Sequence, residues 1–189
     1  MVVLIKGEMA HCFNIMKIFC SLLLVFIFLG ASGTSAFGQY RKLTVVLLRH
    51  AEKDLTNEDE ANPDLSAAGK ERAQKLIDAV NKYQPDAIYS TDYERTRATV
   101  RPLARKRRAL TLVYDERNLA AMKAKILSGE FKRIVVVGHN NTTPALVNAL
   151  LGAEKYQPLG ENEYDKIWIV KIKRNRTKPN QSREKIITY

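Results

Sequence analysis

The sequence predicts an α/β fold: a three-layer sandwich with a mostly parallel central sheet flanked by helices, closed by an antiparallel hairpin. Three observations carry this. Two runs, 43–48 (LTVVLL) and 133–137 (RIVVV), have the nearly unbroken apolar character of strands buried on both faces. Segments with apolar residues at helical spacing lie between the strand runs. The order along the chain is therefore β-α-β-α-β-α-β-α, the alternation that builds a parallel sheet with helical crossovers.

The elements follow in order. After the strand at 43–48, a polar loop runs through Pro63. Ser66 is placed to cap a helix over 67–83, in which Ala73, Leu76, Ile77 and Val80 form the buried stripe. Pro85 stops it, and 87–89 make a short strand. A charged helix starts near Tyr93, and 109–114 form the next strand. A short helix covers 119–127, and the strand at 133–137 follows. Pro144 suits the first turn of a helix reaching Leu151. Residues 167–172 and 185–189 form the hairpin, with Trp168 in its packed face.

Composition bounds the function. A chain of 189 residues that is 46% hydrophobic and 27% charged is one ordinary globular domain, not a disordered or collagen-like polymer. Its net charge of +11 favours acidic partners: phosphate esters, nucleic acid or an anionic surface. Two cysteines make no disulfide framework, and three histidines argue against a dedicated zinc centre.

Residues 1–38 read as an address. Met16-Lys17 opens a basic start, 18–29 (IFCSLLLVFIFL) carry no charge, and small residues follow at 30–36. This is the layout of a signal peptide, and its apolar run is shorter than the roughly 20 residues of a membrane span. Residues 1–15 fit no part of it, so translation is expected to start at Met16. Cleavage is expected after Ala36 or Gly38, leaving a single domain at 39–189 with no stable membrane span. The product would be periplasmic or secreted; the alternative is an uncleaved N-terminal membrane anchor. Cys12 and Cys20 leave with the leader, which excludes thiol catalysis.

In open sheets of this kind, ligands bind beyond the carboxyl ends of the strands. Arg49-His50-Ala51-Glu52 follows the first strand, Ser90-Thr91 leads to Arg95 after the second, and Gly138-His139-Asn140-Asn141-Thr142 follows the strand at 133–137. Two imidazoles and two guanidiniums would then converge. Guanidinium forks match phosphate oxygens and keep their charge. A neutral imidazole can attack phosphorus, and a protonated one can stabilise the equatorial oxygens. No metal or other cofactor is needed, because cationic side chains do the neutralising.

These residues resemble the histidine phosphatase superfamily, also called the phosphoglycerate mutase-like fold, in its small compact branch. Arg49-His50-Ala51 matches its Arg-His-Gly motif. Tyr89-Ser90-Thr91 leading to Arg95 and Thr99 matches its second motif, and Gly138-His139 its third. Leu65-Ser66-Ala67-Ala68-Gly69 and Pro144 are also similar, and the resemblance covers about 43–151. It implies that His50 is the nucleophile that becomes phosphohistidine, with Arg49, Arg95 and His139 completing the phosphate pocket. Ala51 stands where the family has Gly, which is harmless unless positive φ is required there. For the general acid, the first candidate is Glu116, then Asp115, then Glu52.

Several residues have plainer roles in competition. Asn141 could bind substrate phosphate or cap the next helix. Arg105-Lys106-Arg107-Arg108 suits a helix carboxyl end. The basic run 171–178 reads as protection of a hairpin edge. The leading function is an exported, metal-independent phosphatase that hydrolyses a phosphomonoester and releases inorganic phosphate. No nucleic acid partner is expected. The alternatives are a phosphohistidine-protein phosphatase and a non-catalytic anion-binding envelope protein. In the leading reading His50 is neutral, His139 is charged, and activity follows a bell on the acidic side of neutrality.

Overall fold

The computed structural model describes residues 42–57, 59–175 and 178–189; the expected leader lies outside them. Strand β1 (Lys42–Arg49) is followed by helix α1 (Ala67–Val80), a 3-10 turn (Asn81–Tyr83) and β2 (Ala87–Ser90). Then come α2 (Glu94–Arg107), β3 (Thr111–Val113), α3 (Leu119–Ser128), β4 (Arg133–Gly138) and α4 (Thr142–Leu151). Strands β5 (Lys166–Lys173) and β6 (Gln181–Thr188) close the chain. The described strands form one six-stranded sheet in the order β3-β2-β4-β1-β5-β6. The first four are mutually parallel, β5 is antiparallel to β1, and β6 is antiparallel to β5. The α/β architecture expected from the sequence is what forms.

Alternation within the strands divides the core in two. Leu43, Val45 and Leu47 join Trp168 and Val170 under Met122 and Ile126 of α3 and Leu146, Val147 and Leu150 of α4. Val46 and Leu48 join Ile167 and Ile169 under Leu76 and Val80 of α1 and Val100 and Leu103 of α2. Trp168 is a core residue, edge-on to Tyr156. Helix α1 therefore leaves β1 toward one face, and α4 leaves the adjacent β4 toward the other. The crevice between two such neighbouring strands is where an open sheet binds its ligand.

Element boundaries depart from the sequence reading for local reasons. Helix α1 stops at Val80, and Gln84 turns left-handed (φ 48°) ahead of Pro85. Strand β3 is shorter than 109–114 because Arg108 (φ 51°) ends α2 and Ala109 still donates to the Ala104 carbonyl. Helix α4 starts two residues before Pro144, capped by Asn141. Strand β6 begins at Gln181, since a polar edge strand gives no apolar pattern to read.

Ser66 caps α1 by accepting from the Gly69 N–H at 3.1 Å, and the Ser66 N–H donates to the Glu52 carbonyl at 2.9 Å. This presses the first turn of α1 onto the chain just after His50. A Cβ on Gly69 would fall inside the van der Waals radius of the Glu52 carbonyl oxygen. Backbone meets backbone there, so nothing flexible can yield. Gly69→Ala is expected to cost about 1–3 kcal/mol of stability, the usual range for overpacking. Urea unfolding measures it; an unchanged midpoint would show that α1 is free to lift away.

Candidate active site

Strand pairing brings the predicted residues together. In the parallel β1–β4 register Arg49 lies opposite Gly138, and the His50 N–H donates to the Gly138 carbonyl at 2.9 Å. His50 and His139 thus leave adjacent strand ends side by side, with ring centroids 5.5 Å apart and planes at 66°. Ser90 lies opposite Val137, so β2 delivers Thr91 and the first turn of α2, with Arg95, to the same place. Space at Gly138 is tight: a Cβ there would meet the Tyr114 hydroxyl at 2.8 Å and Thr143 Oγ1 at 2.9 Å.

The result is a cleft of ≈ 470 Å³ lined by Arg49, His50, Arg95, Glu116, His139 and Asn141, among others. All six predicted site residues are there. Ala51 adopts no positive φ, and its N–H donates to Thr99 Oγ1 at 2.9 Å, so the missing glycine changes nothing.

His50 is 4% exposed. Its Nδ1–H donates to the Ala51 carbonyl at 2.7 Å, which leaves Nε2 with the lone pair. Burial first, then the charges of Arg95 and Arg49, push its pKa down to about 3, against the Ala51 hydrogen bond. His139 is pushed down to about 4, again by burial and then Arg95, while Glu116 draws it up. Both shifts favour neutral imidazoles at neutral pH. For His139, expected to be charged, burial and Arg95 act against the charge and Glu116 acts for it.

The tautomer of His139 follows from proton counting. The Thr96 hydroxyl donates to a backbone carbonyl, that of Tyr93 at 2.8 Å or of Thr91 at 2.9 Å. The Thr91 hydroxyl then donates to Thr96 Oγ1 at 3.0 Å, and accepts from His139 Nε2–H at 3.1 Å. The His139 ring also stands edge-on to Tyr93 at 5.0 Å.

The arginines are fixed in different ways. Arg49, 3% exposed, donates from Nη1 to the carbonyls of Gly160 (2.8 Å), Glu161 (2.9 Å) and Glu163 (3.3 Å). Its guanidinium carbon lies 4.1 Å from the Tyr164 ring centre, and Nη2 lies 3.6 Å from the exposed Glu161 carboxylate. Arg95 stacks on Tyr93 at 4.4 Å. The buried Nε atoms of both arginines have no hydrogen-bond partner among the described residues.

The three candidate acids separate cleanly. Glu52 is clamped by Arg72, whose Nε and Nη2 reach its two oxygens at 2.7–3.0 Å. Burial acts to raise its pKa, but the Arg72 hydrogen bonds, a backbone hydrogen bond and the charges of Arg72 and Arg49 together hold it low. Asp115 turns to Arg117, accepting its N–H at 2.9 Å. Glu116 alone of the three lines the cleft. Asn141 is the helix cap, accepting from the Thr142 N–H at 2.9 Å while bordering the cleft.

Sequence reading did not single out Lys53, Tyr93 or Asn140 as site residues, and gave no role to Glu161 or Tyr164 in the 161–165 stretch. Tyr93, two residues before Arg95, had a local signal in its spacing to a pocket arginine. Glu161 and Tyr164 had none, because they arrive from a loop more than a hundred residues away from Arg49.

Residues 45–122 match the sequence model of the histidine phosphatase superfamily (branch 1). The matched stretch carries Arg49, His50, Arg95 and Glu116. Fold, site and this partial match are all similar to that superfamily, as the resemblance implied. Solved structures share the fold. Mycobacterial hydrolase 1 is 15% identical with a TM-score of 0.61, covering 76% of this chain and 97% of its own. The protein histidine phosphatase SixA complexed with tungstate is 12% identical (TM-score 0.58; 77% of this chain, 97% of that one). The mycobacterial glucosyl-3-phosphoglycerate phosphatase in complex with VO3 is 16% identical (TM-score 0.59; 79% and 99%). No curated protein matches the sequence.

The depressed histidines make stability depend on pH. Between the unfolded value near 6.5 and the folded values of about 3 and 4, the unfolded chain binds protons that the native one refuses. Stability present above pH 6.5 is lost as pH falls through this window, by up to about 1.4 kcal/mol per pH unit for each imidazole. Urea unfolding from pH 7 to pH 4 measures it, and His50→Gln should flatten the slope. A slope unchanged by that substitution would show that His50 titrates normally.

Proposed function

We propose that this protein is an exported, metal-independent phosphatase whose catalytic domain spans 39–189 and hydrolyses a phosphomonoester through a phosphohistidine on His50. One observation carries the reading: a buried, neutral imidazole whose Nδ1–H is tied to a carbonyl, in a cleft rimmed by Arg49 and Arg95. The cations that face the cleft are side chains. Among the described residues, no group of three or more His, Cys, Asp or Glu is placed to hold a metal ion. Solved structures of the same fold are complexed with tungstate and VO3, oxyanions that stand in for phosphate.

The steps balance as follows. The substrate phosphate settles among Arg49, Arg95 and His139, and its negative charge raises the basicity of His139. His50 Nε2 attacks phosphorus, forming a P–N bond as the P–O bond to the leaving group breaks. Protonated Glu116 gives its proton to the departing oxygen. Water, losing a proton to the Glu116 carboxylate, then attacks phosphorus and breaks the P–N bond. Inorganic phosphate leaves, and His50 is neutral again.

Productive encounter needs one proton shared between His139 and the phosphate, whose second ionisation lies near pH 6. With His139 at about 4 in the free cleft, kcat/KM should rise and fall on the acidic side of neutrality. A second reading has one observation behind it. The chain covers 97% of the compact SixA chain, whose name is protein histidine phosphatase. In that case the phosphoryl donor is a phosphohistidine rather than an ester.

Hydrolysis of an aryl phosphate, an alkyl phosphate and a phosphohistidine peptide tests both. His50→Ala should lose at least about 1,000-fold on whichever substrate is turned over, with chelator making no difference. Glu116→Gln should lose about 100-fold on the alkyl ester and far less on the aryl ester, whose leaving group needs no proton. Activity rising steadily to pH 9 and abolished by chelator would contradict the mechanism. Turnover of the peptide alone would select the second reading.

A further inference from the structure

At the end of the sheet away from the active cleft, the strands carry a second cationic feature. Lys42, Lys132, Lys171, Lys173 and Arg183 line a cavity of ≈ 510 Å³, and none of its lining residues is acidic. The β1–β5 register sets Lys42 opposite Lys173, and the β5–β6 register sets Lys171 opposite Arg183. These four alternate with the core residues of their strands and so share one face of the sheet, and exposed Lys185 extends the row. Like charges directly opposite across strands destabilise a sheet. Among the described residues, no carboxylate pairs with any of these six cations.

Edge protection does not account for the arrangement. Lys171 and Lys173 lie on β5, which is paired on both sides, by β1 and by β6. That corrects the reading of the run 171–178 as an edge device for these two residues. An uncompensated cationic face that strains its own sheet is the complement of an extended anionic surface.

Two further facts narrow the partner. The chain before β1 enters at Lys42, within this face, and the uncharged run 18–29 is joined to it by residues 30–41. That connection spans at most about 40 Å when extended. Beyond this, α2 returns to the same end of the sheet before β3, bringing the basic cluster 105–108 to this pole. The catalytic cleft opens about 23 Å away, at the far end of β1.

We propose that the Lys42–Lys171–Lys173–Arg183 face docks on an anionic phospholipid surface, leaving the catalytic cleft turned to solvent. Attraction of this kind acts within about a Debye length and fades with salt. It works whether the apolar run is retained as an anchor or removed.

The test is sedimentation of the full chain with phosphatidylcholine vesicles and with vesicles containing 30% phosphatidylglycerol. Pure phosphatidylcholine reports any insertion of the apolar run, so the difference between vesicles is the readout. The anionic vesicles should bind at least tenfold more protein at low salt, with the difference gone at 0.5 M salt. Joint replacement Lys42→Gln, Lys171→Gln, Lys173→Gln and Arg183→Gln should abolish the difference while leaving aryl phosphate hydrolysis and the circular dichroism spectrum unchanged. Should that variant misfold, K171Q and R183Q singly should each weaken the preference about fivefold. Equal binding of the wild type to both vesicles would overturn the proposal, as would a folded variant that keeps the preference. Tighter binding to duplex DNA than to anionic vesicles at the same salt would overturn it in favour of a nucleic acid.

Discussion

The parallel pairing of β1 with β4 is the constraint from which the site follows. It sets Arg49 against Gly138 and carries one step further, with the His50 N–H on the Gly138 carbonyl. Two strands that end in register deliver their next residues, His50 and His139, to one point. Because α1 and α4 leave these strands on opposite faces, a crevice is left between them at that point. A one-residue slip would send His50 to the other side of the pleat and bury Arg49 in the wrong core. The core and the cleft are therefore two consequences of one register, and Gly69 is where two chain segments come too close for any side chain.

Electrostatics then assigns the roles. Burial first, with the charges of Arg95 and Arg49 added to it, disfavours protonation of both imidazoles, which is the state the proposed attack by His50 requires. Arg49 also ties down the 160–163 segment through three carbonyls, so the group that would bind phosphate holds the cleft wall as well. That wall returns Glu161 to within 3.6 Å of Arg49, an exposed carboxylate easily displaced by a dianion. The Thr96–Thr91–His139 chain, anchored on a backbone carbonyl, fixes an imidazole tautomer without a carboxylate.

Much of this was legible in the sequence because the informative residues sit where strands end. Unbroken apolar runs located β1 and β4, and the residues after them located His50 and His139 without any knowledge of contacts. Arg95 was reachable because one turn of helix after a strand end is a fixed distance. Glu116 could be ranked first but not separated from Asp115 and Glu52, since that choice depended on Arg117 and Arg72 capturing the other two. Tyr164 and Glu161 were invisible as partners of Arg49 because a long-range loop contact leaves no local pattern. The cationic face on β1, β5 and β6 was misread for the same reason. Strand order, which shows β5 to be interior, is not written in the residues of β5.

The most direct test of the account is the site of phosphorylation itself. Rapid acid-free quenching of turnover, followed by nitrogen-resolved NMR of the trapped protein, identifies which atom carries the phosphoryl group. The Nδ1–H···O=C bond to Ala51 leaves only one nucleophilic nitrogen, so the label should sit on Nε2 of His50. A phosphoryl group on Nδ1 of His50, on His139, or on no histidine during steady turnover would contradict the account.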